Sequence, residues 1–305
     1  MAKQTTWTGS SNSTWSDSGN WTNGLPGTGD TAVIDGSVGI TGGSGISNTE
    51  VERVYVARTY TGAIGSVGTP LELDSAEVSI DNNTSGSTHF VHLTGTNNTT
   101  PTVMVDGLKT GNALYLSGDL DLVILESTMA GTIHLGNSGT KIATVNQLII
   151  EASACTVDAS VAANVAFATG AKVYQSAGTF KVGENWGTNG ECVISGGTIN
   201  VDSWTATTGD SLVMLGSNAT VNWNAGSTGL TPSSVTAVNT ITMVAGTFTT
   251  ESNDTAYVGL GTVNQYGGTM NLQSPFPNID INTAYNTYAG SFSFPKQSVV
   301  TTTAK

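Results

Sequence analysis

Of the chain's 305 residues only 10 % are charged, and 22 acids against 9 bases give a formal net charge of −13. The bases stand singly along the chain, so there is no basic stripe to neutralise a phosphate backbone, which argues against nucleic acid as a partner. No apolar run approaches the ~18–20 residues of a membrane-spanning helix, so no membrane partner is expected either.

What replaces the charge is glycine, 38 residues of it, together with Thr, Ser and Asn. All four sit low on the helix scale, and no window sustains a 3.6-residue apolar period. An almost entirely β chain is expected.

The opening stretch, "TWTGSSNSTWSDSGNWTNGLPGTGDTAVIDGS" (6–37), holds Trp7, Trp15 and Trp21, half of the six tryptophans. Pro26-Gly27 then turns the chain into "DTAVID", an alternating run that reads as a first strand. Residues 1–45 are therefore expected to form an N-terminal cap or attachment segment. Its large aromatics would cover the first coil, and their indole N–H groups would reach backbone carbonyls. A second role is docking onto a partner, for which Trp7, Trp15, Trp21, Pro26 and Asp30 are the candidates. The first residues, Met-Ala-Lys-Gln-Thr-Thr, lack the apolar centre of a signal peptide, so folding in a cytoplasm is expected. Asn20-Trp-Thr matches a glycosylation triplet, as chance would produce in so Thr-rich a chain.

"AEVSI" (76–80), "FVHL" (90–93) and "PTVMV" (101–105) fit short strands of early coils. From residue 130 a repeat takes over: "AGTIHL", "ACTVDA", "AGTFKV", "GGTINV", "NATVNW", "AGTFTT", "GGTMNL" and "AGSFSF". Their third positions, 132, 156, 179, 198, 220, 247, 269 and 291, are 19 to 27 residues apart. The fourth position is always apolar and the fifth always polar, as expected when alternate side chains face a core and water. The small residues ahead of the Thr mark a corner. A second strand precedes the corner in "AKVYQS" (171–176), "ECVIS" (191–195), "NTITMV" (239–244) and "GTVNQY" (261–266). Two or three short strands in ~22 residues, repeated, predict a single-stranded-type, right-handed parallel β-helix. The coils are expected over residues 46–295, with 296–305 as a C-terminal tail.

Chemistry is sparse. Glu184, Glu191, Asp202 and Asp210 fall on adjacent coils and could converge as a carboxylate pair, but Lys172 and Lys181 are the only bases between residues 142 and 295. The four acids are therefore read as solvated surface or turn residues. His89 and His92, three apart in a strand, point to opposite faces and cannot form a metal pair. His134 is expected to stand alone in the outward column. Cys155 and Cys192 each adjoin an apolar run and are expected to be buried free thiols. An ice-binding surface would need a flat Thr-x-Thr array, which the irregular fifth position denies. The expectation is a protein with no catalytic residue, no metal and no cofactor.

The segment from Trp7 to Asp35, with Trp15, "NWTNG", "PG" and "DTAVID", resembles the entry motif of two groups. One is the passenger β-helices of bacterial autotransporters; the other is the β-helical structural proteins of tailed-phage virions. "VERVYVARTYTGAIGSVGTPLEL" (51–73) looks more like the phage group, and together these residues span about a quarter of the chain. The absent signal peptide and the C-terminal "SFSFPKQSVVTTTAK", which is no membrane barrel, depart from the autotransporters. The resemblance implies a virion protein made in the host cytoplasm, placed on the capsid exterior as a decorating or cementing protein. Its partners would be the major capsid protein or other virion proteins, and a homotrimer is expected. The competing reading is a receptor-binding tail fibre or spike that grips host polysaccharide, with Trp186, Trp204, Glu184 and Asp202 as its carbohydrate platform. Trp223, at the end of an inward apolar pattern, is expected to be core.

Overall fold

The computed structural model describes residues 1–82, 88–93, 100–124, 129–136, 143–160, 165–183, 190–201, 210–225, 240–252, 258–273 and 279–293. Two compact units form, one of Met1–Asp158 with Ala163–Val165, the other of Ala159–Ala162 with Ala166–Lys305. Each is a β-solenoid of parallel strands stacked coil on coil. The sole helical turn among the described residues is the 3-10 element Ser18–Asn20.

In the first unit one inner column runs Trp7, Ile34, Val56, Ile80, Val105, Ile124 and Ile150, each residue paired in parallel with the next. None of the seven is more than 2 % exposed. Alternation explains the column, because residues i and i+2 of a strand share a face and the coil-to-coil pairing puts like over like. The stacking therefore begins at Gln4–Trp7, inside the segment expected to be a cap ahead of the coils. Strands Gln4–Trp7 and Thr31–Ile34 pair with each other, and the second pairs with Arg53–Val56. Four residues each, they are too short to stand out as repeats.

In the second unit two columns carry the core. Phe180, Ile199, Val221, Phe248 and Met270 stack in one, all buried. Val173, Cys192, Leu212, Ile241 and Val263 stack in the other, also buried. The outward Thr column is continuous as well: Thr179, Thr198, Thr220, Thr247, Thr269 and Ser291 lie in register. The repeat read from the sequence is thus the repeat of the coils, with pairing partners from 19 to 29 residues apart.

At position 197 the corner needs glycine for two reasons. Gly197 has φ +83°, a conformation L side chains rarely adopt, and a Cβ there would stand 2.6 Å from the Gly178 carbonyl oxygen of the coil beneath. Gly170 shares the positive φ, at +75°, but a Cβ there would meet nothing within 4 Å. Gly170→Ala should therefore cost only the left-handed strain, about 1–2 kcal/mol, whereas Gly197→Ala should cost distinctly more because two coils must separate. Urea midpoints of the two variants against the parent measure the difference. Equal losses would mean that the corner is not closely packed.

Candidate functional site

At the amino-terminal end the three tryptophans expected to cap or dock are buried, at 1 %, 2 % and 4 % exposure for Trp7, Trp15 and Trp21. Trp7 is the first rung of the inner column. Trp21 lies edge-on to it with centroids 5.3 Å apart, and Trp15 lies edge-on to Trp21 at 4.6 Å. The Trp7 indole donates to the Val38 carbonyl at 3.0 Å and that of Trp21 to the Trp15 carbonyl at 2.9 Å. The three rings are packed inside this chain and the Trp7 and Trp21 donors are engaged there, which leaves almost no surface of the tryptophans for a partner.

The same end is tied by two polar side chains. Asp30 accepts from the Lys3 and Gly27 backbone N–H groups, and the Lys3 ammonium stands 3.9 Å away. Burial pushes the Asp30 carboxyl up, but those two hydrogen bonds and the Lys3 charge outweigh it and hold the carboxyl below its usual range. Pro26, beside this turn, is buried. Asn20, fully buried, accepts from the Ser11 and Asn12 N–H groups and donates to the Asn12 side chain and the Thr14 carbonyl. Every polar atom of its amide is engaged, so the Asn20-Trp-Thr triplet is no place for a glycan. Asn20→Asp removes two donors and buries a charge. It should lower stability by about 2–4 kcal/mol in chemical denaturation, while an unchanged midpoint would deny the loop its anchor.

On the outward face of the first unit, charged and aromatic side chains pair from one coil to the next. The Arg53 guanidinium donates to Glu77 at 2.7 Å, and that of Arg58 to both Asp81 oxygens at 3.1 Å. Phe90, Tyr115 and His134 stack as a ladder at 4.4 and 4.5 Å, and His134 Nδ1 lies 3.8 Å from Asp158. His134 is therefore not alone, contrary to expectation. The parallel register sets Tyr115 beneath it and Asp158 above it, neighbours that lie about twenty residues away along the chain.

Between two of these outward columns runs a groove of about 650 Å³. Gln4, Thr31, Arg53 and Glu77 form one wall, and Val33, Tyr55, Ser79 and Met104 the other. Tyr55 stands in register with Val33 and Ser79, neither of them aromatic, unlike the rings of the Phe90 ladder. Burial, and then the Asp81 carboxylate, push the Tyr55 phenol up, so it stays a neutral donor. The groove thus offers one ring, a paired guanidinium and carboxylate, and several hydroxyl and amide groups.

His89 and His92 do point to opposite faces. His92 pairs with the Ser117 hydroxyl at 3.0 Å, whereas His89 is buried with Nε2 2.8 Å from the Asn82 amide. Burial drops the His89 pKa to about 4. Above the ordinary imidazole pKa of 6.5 both folded and unfolded chains hold it neutral. As pH falls, only the unfolded chain takes the proton until about pH 4, so stability is lost across that window, by about 3 kcal/mol in full. His89→Gln keeps an acceptor for Asn82 and should flatten the slope of unfolding free energy between pH 6.5 and 4. A slope identical to the parent's would show that other groups cause it.

Of the remaining candidates, Glu184, Trp186, Asp202 and Trp204 lie outside the described residues, as does the side chain of Trp223. Glu191 is half-buried and in register with Lys172 and Ser211. Asp210, expected at the solvated surface, is instead fully buried, with Oδ1 accepting from the Gly190 N–H at 2.9 Å. The reason is the stacking: the carboxylate lies at the entry to strand Ser211–Ala225, where the preceding coil presents a backbone donor. Cys155 and Cys192 are buried free thiols. Burial raises both, Cys155 to about 12, which leaves neither thiolate available at neutral pH. The Tyr55 groove left no mark in the sequence because its walls come from successive coils, whereas the Asn20 and His89 contacts are short-range but belong to no repeating pattern. No protein-family model, curated protein or solved structure matches this chain.

Proposed function

We propose that the chain is a structural, non-enzymatic protein of a tailed-phage virion. It decorates or cements the outer capsid surface as a homotrimer, against the major capsid protein or other virion proteins, after synthesis in the host cytoplasm. One observation carries the structural part of this reading. Outward-facing side chains pair with neighbours in adjacent coils, as Arg53–Glu77, Arg58–Asp81, Phe90–Tyr115–His134 and Asn200–Asn222 do. Such pairing stiffens a solenoid whose coils otherwise touch only their neighbours. The virion part rests on the resemblance of residues 6–73 to phage β-helical proteins.

A second reading has its own support in the groove at Tyr55. Its volume of about 650 Å³ suits a short saccharide. An aromatic ring beside a guanidinium, a carboxylate and hydroxyls is the chemistry that binds sugars, as a receptor-binding fibre or spike would need.

Quantitative mass spectrometry of purified particles separates the two. A decorating protein should match the major capsid protein within a few-fold, whereas a fibre or spike should be about a hundredfold scarcer. In the second case Tyr55→Ala should abolish binding to host polysaccharide. Absence of the chain from particles would overturn both.

A further inference from the structure

Four exposed apolar side chains of the second unit stand in one line. Met214, Met243, Gln265 and Thr287 are stacked partners in successive coils. The residues that follow them are Leu215, Val244, Tyr266 and Tyr288, 47 %, 46 %, 49 % and 68 % exposed. Each of the last three is pinned to the coil beneath by a backbone hydrogen bond, Val244 to Met214, Tyr266 to Met243 and Tyr288 to Gln265. The same position one and two coils earlier holds Ser195 and Ser176, both exposed. The coil thus accepts serine here, and nothing in its packing requires a large apolar residue. Half of the exposed large hydrophobic residues among those described lie on this ridge.

We propose that the ridge Leu215–Val244–Tyr266–Tyr288 is the contact through which copies of this chain pack side by side, parallel and in coil register. The inference rests on the reading of the chain as a self-assembling structural protein, and names the surface that does it.

Charge decides for a second copy. A chain of net charge −13 repels its copies, yet between Ser211 and Ser293 the only charged residues are Glu251, Asp254 and Asp280. The ridge lies where like chains approach at least electrostatic cost. Area agrees. The four side chains expose on the order of 400 Å², about half of the ~800 Å² that each partner contributes to a stable interface. The uncharged flanks supply the rest.

Geometry fits as well. If the symmetry axis runs parallel to the coil stack, each ridge residue meets its own copies at the same height, rung against rung, and the ring closes. The tyrosines are shaped for this. Tyr266 and Tyr288 stack face to face with centroids 4.7 Å apart and planes 3° from parallel. Their mutual faces are covered, so they present edges and hydroxyls outward, which suits packing into a neighbouring ridge better than stacking on a sugar.

Sedimentation equilibrium of the purified chain tests the proposal apart from any virion. The parent should sediment as a multimer of the 31.1 kDa chain, at three copies if the trimer holds. The variant Val244→Ser with Tyr266→Ser, which places the residue of Ser176 and Ser195 at two further rungs, should sediment as a 31.1 kDa monomer with an unchanged far-ultraviolet circular dichroism spectrum. Ser176→Lys, on the same column below the apolar rungs, should leave the multimer intact. A parent that is monomeric at tens of micromolar, or a double variant that stays associated, would overturn the proposal. A monomeric parent that nonetheless coats particles would assign the ridge to another virion protein and leave the virion reading standing.

Discussion

The parallel hydrogen-bond ladder between coils is the constraint from which the rest of the structure follows. It fixes the height of each residue against its equivalent one coil away, about 4.8 Å off. A side chain in a coil therefore has two obligatory neighbours. Where the column faces in, the neighbours form a core, as with Trp7 to Ile150. Where it faces out, they form a ladder, and the chemistry of the ladder depends on which residues happen to be superposed. At the Gly197 corner the same closeness leaves no room for a Cβ, so a larger residue there would separate coils.

A ladder has ends, and its ends lack a neighbour. The first inner rung is a tryptophan, and Trp21 and Trp15 are laid against it in turn. The loop that delivers them is held by buried polar groups, with Asn20 organising the 11–14 turn and Asp30 joining the first strand to the Pro26-Gly27 corner. Aromatic bulk covers this end of the core while amide and carboxylate groups satisfy the backbone of the turns around it. The concentration of tryptophan at the start of the sequence is thereby a packing requirement.

Stacking also governs what the outer surface can do. A ring whose faces are covered by rings above and below, as Tyr115 is by Phe90 and His134, has little face left for a ligand. A carboxylate locked to a guanidinium one coil away is a staple and a poor acid or base. Among the described residues the surface keeps at least two kinds of opportunity. One is a groove where large and small side chains are superposed, as at Tyr55. The other is a ridge where apolar residues recur at a corner.

The sequence by itself determined the fold class, the corner residues and the inward and outward columns from Thr132 onward, because those depend on alternation and on a local turn that recurs every coil. Upstream the coils recur at similar intervals, but their corners lack the Gly-Thr signature. The strands at Gln4–Trp7 and Thr31–Ile34 therefore read as cap rather than coil. Only the tertiary structure decided which side chains meet. His134 with Tyr115 and Asp158, and Asp210 over Gly190, depend on exact superposition of coils. A one-residue slip in the pairing of two coils would break each of those partnerships, since it moves a side chain to the opposite face. The ridge from Leu215 to Tyr288 lies between the two cases. Its residues adjoin corners that the repeat already marks, but only the aligned coils turn four separate apolar residues into one line.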